Sequence, residues 1–299
     1  MRRHAVAAAG RTLALGERPW LMGIVNASPD SFSDAGAHPD LDARVALATK
    51  LVRAGADIVD VGGESGITLR PPVEAAQEIA RVAPLVQCIC SELNDAVVVS
   101  VDTYKPAVAV AAIEAGACIV NDVSGLRDPE LADVCADSGA ALVLMHTRAL
   151  PKQRLQDPKL YEDVVDDVMR FLDARMQLAR ARGVRDEQII LDPGLDFAKT
   201  PAQTIALLAR VEELHALGRP LLLAASRKDF VGALIGRDPR ERLAGTLAAV
   251  GFGVDAGAHV LRVHDVAEVE DYLRVRGALR GELPVDTALA LDDAIRHAR

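Results

Sequence analysis

Polar residues recur at one kind of place in this sequence, just past a short apolar run: Asn26, Glu64, Asp102, Asn121 with Asp122, His146, Asp192, Arg227 with Lys228, and Arg262 with His264. Asp102, Asn121 and Asp192 offer donors and acceptors suited to the edge of a flat heterocycle, whereas Lys228, Arg262 and His264 form a cationic set in an acidic chain. That combination suits a planar nitrogenous ring with an anionic tail. Asn26 adds a neutral oxygen of the kind that accompanies Mg²⁺ carried mainly by substrate phosphates. Any one Asp or Asn in such a place is as readily a helix cap or ordinary loop polarity. All of them together are not, because inward charge without a ligand or partner is costly.

The elements that must position these residues are the apolar runs themselves, at about 21–25, 57–62, 97–101, 117–121, 140–145, 188–192, 220–225 and 258–263. Between them lie helical patterns, such as Leu41 to Ala54, Ile79-Val82-Val86-Ile89-Leu93, where Pro84 is expected to kink or split the helix, and Val164-Val168-Phe171-Leu172-Met176-Ala179. A small-Gly-Ala connection recurs at Gly55, Gly116, Gly139 and Gly257, each time between a helical segment and an apolar run. A glycine there supplies the left-handed residue of a helix C-cap. Repeated βα units with eight strands predict a (β/α)₈ TIM barrel, with an open doubly wound sheet as runner-up. No G-x-G-x-x-G or P-loop pattern follows the first strand, which counts against the open nucleotide-binding sheet. One domain over residues 1–299 is expected, with a core of about 18–282 and a tail of 283–299.

Composition narrows the partners. The chain of 299 residues is 50% hydrophobic but only 3% aromatic, so its core is built from Ala, Val, Leu and Ile, as in a parallel sheet covered by helices. A net charge of −9 argues against a nucleic-acid surface or a polybasic membrane patch. No apolar run approaches the roughly 20 residues of a membrane span. The start, MRRHAVAAAG, is too short and weakly hydrophobic for a secretory signal. Cys88, Cys90, Cys118 and Cys135 lack zinc-site spacing and read as reduced core thiols, in a soluble, cytoplasmic setting.

The motifs VNASPDSFSD, VDVGGES, SVDTYKPAV, NDVSGL, LMH, LDPGLDFAKT, SRKDF and RVHDV, in this order from residue 25 to 266, resemble the dihydropteroate synthase family. The resemblance implies a (β/α)₈ barrel, usually a homodimer, that joins hydroxymethyl-dihydropterin diphosphate to p-aminobenzoate and releases diphosphate with Mg²⁺. It implies that Asp102, Asn121, Asp192 and Lys228 grip the pterin, that Met145 and Phe197 line its faces, and that Asn26, Arg262 and His264 hold the diphosphate, with Asn26 at the metal. Catalysis would fall to Asp102, Lys228 and Asn26, and the second substrate to Thr68, Arg70, Ser226 and Arg227.

The chain departs from the family pattern in places. Its second loop reads GGESGITLRPPV against the family's GGESTRPG, an insertion of three residues that shifts Thr68 and Arg70. Asp229 follows Lys228 where the family has a small hydroxyl residue, and it is expected to repel an aryl carboxylate. Asp196 and Ala198 replace glycines of the DPG segment, and Ala224 replaces the glycine before SRK. The segment Thr147 to Lys159 reads either as a basic lid or as a solvated loop, and Ser28 to Asp34 as a loop closing over ligand. Two alternatives accompany the leading reading. One is a paralogue that binds pterin without making dihydropteroate, or that uses another amine. The other, weaker, is a pterin-binding barrel of the methyltetrahydrofolate-corrinoid methyltransferase type.

Overall fold

The structure, a computed structural model, describes residues 1–27, 41–64, 71–292 and 296. A two-stranded antiparallel hairpin, β1 (His4–Ala8) and β2 (Arg11–Leu15), precedes eight parallel strands: β3 (Trp20–Asn26), β4 (Ile58–Gly62), β5 (Val98–Asp102), β6 (Ile119–Asp122), β7 (Ala141–Met145), β8 (Ile189–Asp192), β9 (Leu222–Leu223) and β10 (Val260–Val263). The ladder runs β8-β7-β6-β5-β4-β3-β10-β9, and a parallel bridge between Leu191 and Leu221 joins its two ends into a barrel. Helices α1 (Leu41–Arg53), α2 (Ala75–Leu93), α3 (Pro106–Glu114), α4 (Glu130–Ser138), α5 (Val164–Ala181), α6 (Pro201–Ala209), α7 (Asp229–Ile235), α8 (Leu243–Asp255) and α9 (Val266–Leu279) follow the barrel strands in turn, with α7 and α8 both lying between β9 and β10. This is the (β/α)₈ barrel expected from the repeated connection. The connecting residues Gly55, Gly116, Gly139 and Gly257 have φ of 107°, 115°, 72° and 89°, the left-handed region that a helix C-cap needs.

Side chains two apart on a strand share a face, so each strand sends one set outward and one inward. Outward-facing Val59, Val61, Val99, Val101, Leu142, Leu144, Leu261 and Val263 pack against the helices in the main core. Inward, the lower interior is hydrocarbon: Met22, Ile58, Val98, Ile119, Ala141, Val143, Ile190, Leu222 and Val260 form one buried cluster. Two residues further along several of the same strands the interior turns polar, at Asp60, Ser100, Asn121, Asp192 and Arg262. Active-site groups in this architecture gather at the carboxyl ends of the strands, which is the polar end here.

Two features differ from the sequence expectation. The N-terminal segment is a hairpin whose Val6, Ala8, Leu13 and Leu15 join the lower cluster and plug the barrel floor. Its two-residue turn, Ala9-Gly10, has φ of 47° and 82°, the twist that a tight hairpin favours. And α2 runs unbroken from Ala75 to Leu93 through Pro84, so the expected split does not occur. The hydrogen bond forfeited at Pro84 is offset by burial of the flanking Val82, Leu85 and Val86. Cys118 and Cys135 are buried, Cys88 and Cys90 half-buried, and all four are free thiols. No helix among the described residues is long and apolar enough to cross a membrane.

The floor plug makes a stability prediction. Leu15→Ala removes a fully buried side chain and is expected to cost about 2–5 kcal/mol in a urea unfolding experiment. A loss below about 0.5 kcal/mol, the range of an ordinary surface change, would mean that the hairpin is not part of the core.

Candidate active site

The polar layer is built around Arg262, carried by β10 into the barrel interior. Its Nε donates to Asp60 Oδ2 at 2.7 Å and one terminal nitrogen donates to Asp102 Oδ2 at 2.7 Å. Asn121 Nδ2 donates to the same Asp60 oxygen at 3.0 Å, which fixes the amide so that its carbonyl oxygen turns away from Asp60. Asp60 is completely buried, and its Oδ1, like the Oγ of Ser100 beside it in register, has no hydrogen-bond partner among the described residues. Burial works against the Arg262 charge, but Asp60 and Asp102 more than offset it and raise its pKa. Asp102 is pushed up to about 7 by burial, opposed by Arg262 and reinforced by the nearby charge of Asp60. Asn26 lies on the rim next to this group. Gly62 lies between them: a β-carbon there would stand 3.8 Å from Asn26 Oδ1 and 3.6 Å from Asp102 Cβ, in ordinary contact with both.

The opposite wall comes from the segments after β8 and β9. Asp192 is buried and accepts from Gly194 N at 2.7 Å. Burial raises its pKa, while the Gly194 amide and Lys228 hold it down. Lys228 Nζ stands 4.4 Å from the centre of the Phe197 ring, a cation–π contact. Its own pKa is lowered by burial and supported by the charges of Asp196 and Asp192. Met145, fully buried, lies in register with Asp192 on the neighbouring strand. The backbone of the wall is tightly constrained. Gly194 has φ of 67°, and a β-carbon there would come within 2.0 Å of His146 O. Asp196 and Ala198 also take left-handed φ, 66° and 53°, where glycine is the easiest residue. For Ala198 the cost is about 1–2 kcal/mol.

What secures the segment lies beneath it. Lys199 is fully buried, and its Nζ meets three acceptors: His146 Nδ1 at 2.8 Å, Gly194 O at 2.8 Å and Phe197 O at 3.0 Å. Three acceptors match the three protons of an ammonium, although burial pushes its pKa down to about 7. His146 Nε2 pairs with Asp167 Oδ1 at 3.0 Å, and Arg148 binds the same carboxylate. Burial and Lys199 push His146 down to about 4, so it is neutral, accepting at Nδ1 and donating at Nε2. Burial of Asp167 is outweighed by His146 and Arg148, which hold it well below the carboxylate range.

The remaining expected residues fall as follows. His264 is not a cation: burial, with Arg227 and Arg262 nearby, pushes it down to about 4. Ser226 Oγ accepts from His264 N at 3.2 Å and meets His264 Nδ1 at 3.0 Å, which holds the ring in place. Arg262 is a guanidinium shared by two carboxylates, Asp60 and Asp102. Arg227, at φ of 59°, turns to pair with Asp265, its Nε 3.0 Å from Oδ2. Asp229 is 63% exposed and sits 3.4 Å from Arg242, which answers its charge and weakens the expected repulsion of an aryl carboxylate. Thr68, Arg70 and the Ser28–Asp34 loop lie outside the described residues. In the 147–159 segment, Arg148 is paired with Asp167 and Lys152 with Glu64 at 3.1 Å, so two of its basic residues are tied to protein carboxylates. Lys105 binds the same Glu64 at 2.7 Å.

Strand-end reading reached Asp102, Asn121, Asp192, Lys228 and Arg262, and these do converge. It missed Asp60 and Lys199. Asp60 sits two residues after Ile58 in IVDVG, so period-two counting from an inward Ile would have found it. Lys199 carries no such signal, since a lysine ahead of a helix cap ordinarily reads as solvated.

Known proteins share this architecture and sequence. A family model described as pterin binding enzyme matches residues 22–264. The dihydropteroate synthase of Synechocystis sp. is 41% identical over 266 residues, covering 88% of this chain and 91% of that protein. The structure of Xanthomonas albilineans dihydropteroate synthase with 4-aminobenzoic acid superposes with a TM-score of 0.86 at 40% identity, over 95% of this chain and 100% of that one. The Burkholderia cenocepacia dihydropteroate synthase complexed with 7,8-dihydropteroate gives 0.83 at 39% identity, over 94% and 98% of the two chains. Agreement over nearly the whole length, in sequence and in barrel geometry, assigns the chain to the dihydropteroate synthase family of pterin-binding enzymes.

Proposed function

We propose that this transferase joins 6-hydroxymethyl-7,8-dihydropterin diphosphate to p-aminobenzoate, with the pterin held at the barrel mouth. The observation that carries the reading is the convergence of Asp102, Asn121 and Asp192, acceptors for a ring edge, with Lys228 and Phe197 on the facing wall. Met145 and Phe197 line the ring, and Asn26, Arg262 and His264 serve the diphosphate. The C–O bond to diphosphate breaks with its electron pair on the leaving group. The aryl amine lone pair then forms the C–N bond, and the amine proton passes to solvent. Asp102 and Asp192 supply fixed negative charge near the developing cation. Arg262 keeps Asp102 oriented toward it.

Mg²⁺ fits as an ion borne by the substrate. Asn26 Oδ1 at the mouth, beside Gly62, offers the single neutral contact that suits an ion carried mainly by substrate phosphates. Bound there, the ion would neutralise charge on the departing diphosphate. A cytoplasmic homodimer completes the reading, supported by exposed Leu234, Ile235, Phe252, Val275 and Leu279 on α7, α8 and α9. Light scattering is expected to give twice the chain mass; a monomer at micromolar concentration would refute the dimer.

Turnover tests the reading directly. Protein supplied with pterin diphosphate, Mg²⁺ and p-aminobenzoate is expected to release diphosphate and form dihydropteroate. Tight pterin binding without product would instead favour a binding paralogue, and product only with another amine would reassign the acceptor.

Asp102 also predicts a pH effect. It is the stronger, charge-assisted acceptor when ionised, and its raised pKa means that protons compete for it near neutrality. Affinity for hydroxymethyl-dihydropterin, which carries no titrating phosphate, is therefore expected to fall about tenfold per unit below about pH 7. Asp102→Asn is expected to abolish that slope and weaken binding about 10- to 100-fold, as for a lost charged hydrogen bond. An unchanged slope would place the titrating group elsewhere.

A further inference from the structure

We propose that Asp196 is a positioning residue: its carboxylate clamps the segment after β8 to the start of α7 and so sets the Phe197–Lys228 wall of the pterin pocket before ligand arrives. The residue stands where the family pattern has glycine, and its backbone keeps the left-handed conformation, φ 66°, that glycine would take. Aspartate is among the few side chains that tolerate that region. The side chain then does what glycine cannot. Oδ2 accepts from Asp229 N at 2.6 Å and from Phe230 N at 3.3 Å, filling the first amides of α7. Oδ1 accepts from the hydroxyl of fully buried Thr204 at 3.0 Å, and the Asp196 amide donates to that same hydroxyl at 3.1 Å.

One carboxylate therefore ties together three segments: the loop after β8, α6 and α7. The geometry matters because of what flanks it. Phe197 is the next residue along the chain, and Lys228 immediately precedes Asp229, so the clamp joins the two backbones from which the stacked pair projects. Its negative charge also faces Lys228 and counters the burial that favours loss of the ammonium proton. Lys199 holds the same loop from below through Gly194 O and Phe197 O. Asp196 ties that loop across to the Lys228 side.

The proposal rests on the pterin reading of the mouth, so its test includes a readout that needs no ligand. In protein labelled at lysine, the Lys228 methylene protons are expected to be shifted upfield by the Phe197 ring current. Asp196→Gly is expected to abolish that shift, and Asp196→Asn, which keeps an acceptor and tolerates left-handed φ, to retain most of it. In parallel, Asp196→Gly is expected to raise the dissociation constant of hydroxymethyl-dihydropterin and the KM for its diphosphate about tenfold, the scale of one charge-assisted hydrogen bond. The KM for p-aminobenzoate is expected to stay within twofold, and Asp196→Asn to recover most of the loss.

A ring-current shift that survives Asp196→Gly would overturn the clamp. So would unchanged pterin affinity in Asp196→Gly, or a loss of equal size for both substrates, which marks a general loosening. If Asp196→Gly does not fold, Asp196→Asn decides alone, because a lost ring-current shift there refutes the acceptor role. If the wild-type protein does not bind pterin at all, the functional reading fails while the ring-current comparison still judges the clamp.

Discussion

Arg262 between Asp60 and Asp102 is the interaction on which the mouth depends. A guanidinium inside a barrel is expensive to desolvate, and two carboxylates with good geometry are what make its burial tolerable. The consequence runs outward from there. Asp60 spends the same oxygen on Asn121, so the orientation of that amide is set by the position of the arginine. Asp102 gives one oxygen to Arg262, which fixes the plane of its carboxylate and keeps it charged nearer neutrality than burial alone would allow. Breaking such a buried set by removing one member costs about 3–5 kcal/mol, mostly because the remaining charges are stranded. Arg262 is thus the centre of the acceptor array.

That array works only because of what lies under it. Along β4 the inward residues run from Ile58 to Asp60, and along β6 from Ile119 to Asn121, so hydrocarbon changes to charge within one strand repeat. The hydrocarbon layer, closed from below by the β1–β2 hairpin, keeps water from reaching the charges through the floor. Electrostatic interactions at the mouth are stronger for it, since their effective dielectric is that of protein and not of water. The opposite wall follows a different principle. There Gly194, Asp196 and Ala198 all sit at positive φ, and a buried ammonium with three acceptors secures a backbone that local preference would not choose.

Much of this was readable from the sequence, for identifiable reasons. Barrel strands are short apolar runs, and helix ends carry glycine, so the eight strands and the repeated connection were visible, with boundaries within a few residues. Residues at strand ends were legible because position along the strand determines which end of the barrel they reach. Charge state was not legible. His264 reads as a cation by residue type, yet burial with Arg227 and Arg262 nearby pushes it down to about 4. Neither was pairing: Arg262, Arg227 and Asp229 look alike as exposed charges in a string of letters, but only the fold brings Asp60, Asp265 and Arg242 to them. The hairpin was overlooked although Val6, Ala8, Leu13 and Leu15 alternate correctly around Ala9-Gly10, because Ala-Gly is a weaker turn signal than Asn-Gly.

The two acidic departures from the family pattern, Asp196 and Asp229, are coupled by structure. Considered separately, each places a carboxylate near a site meant for an anionic substrate. In the fold they serve one short helix. Asp196 accepts from the first amides of α7, and Asp229 is the residue whose amide it binds, with its own side chain turned out toward Arg242. Negative charge at a helix start is favourable, and here it is distributed between a partly buried acceptor and a solvated ion pair. The penalty against an aryl carboxylate is therefore smaller than residue identity suggests, since one charge is consumed by backbone amides and the other is answered by an arginine. What the pair changes is the freedom of the wall: a loop built on glycines in the family pattern is here built on side-chain bonds.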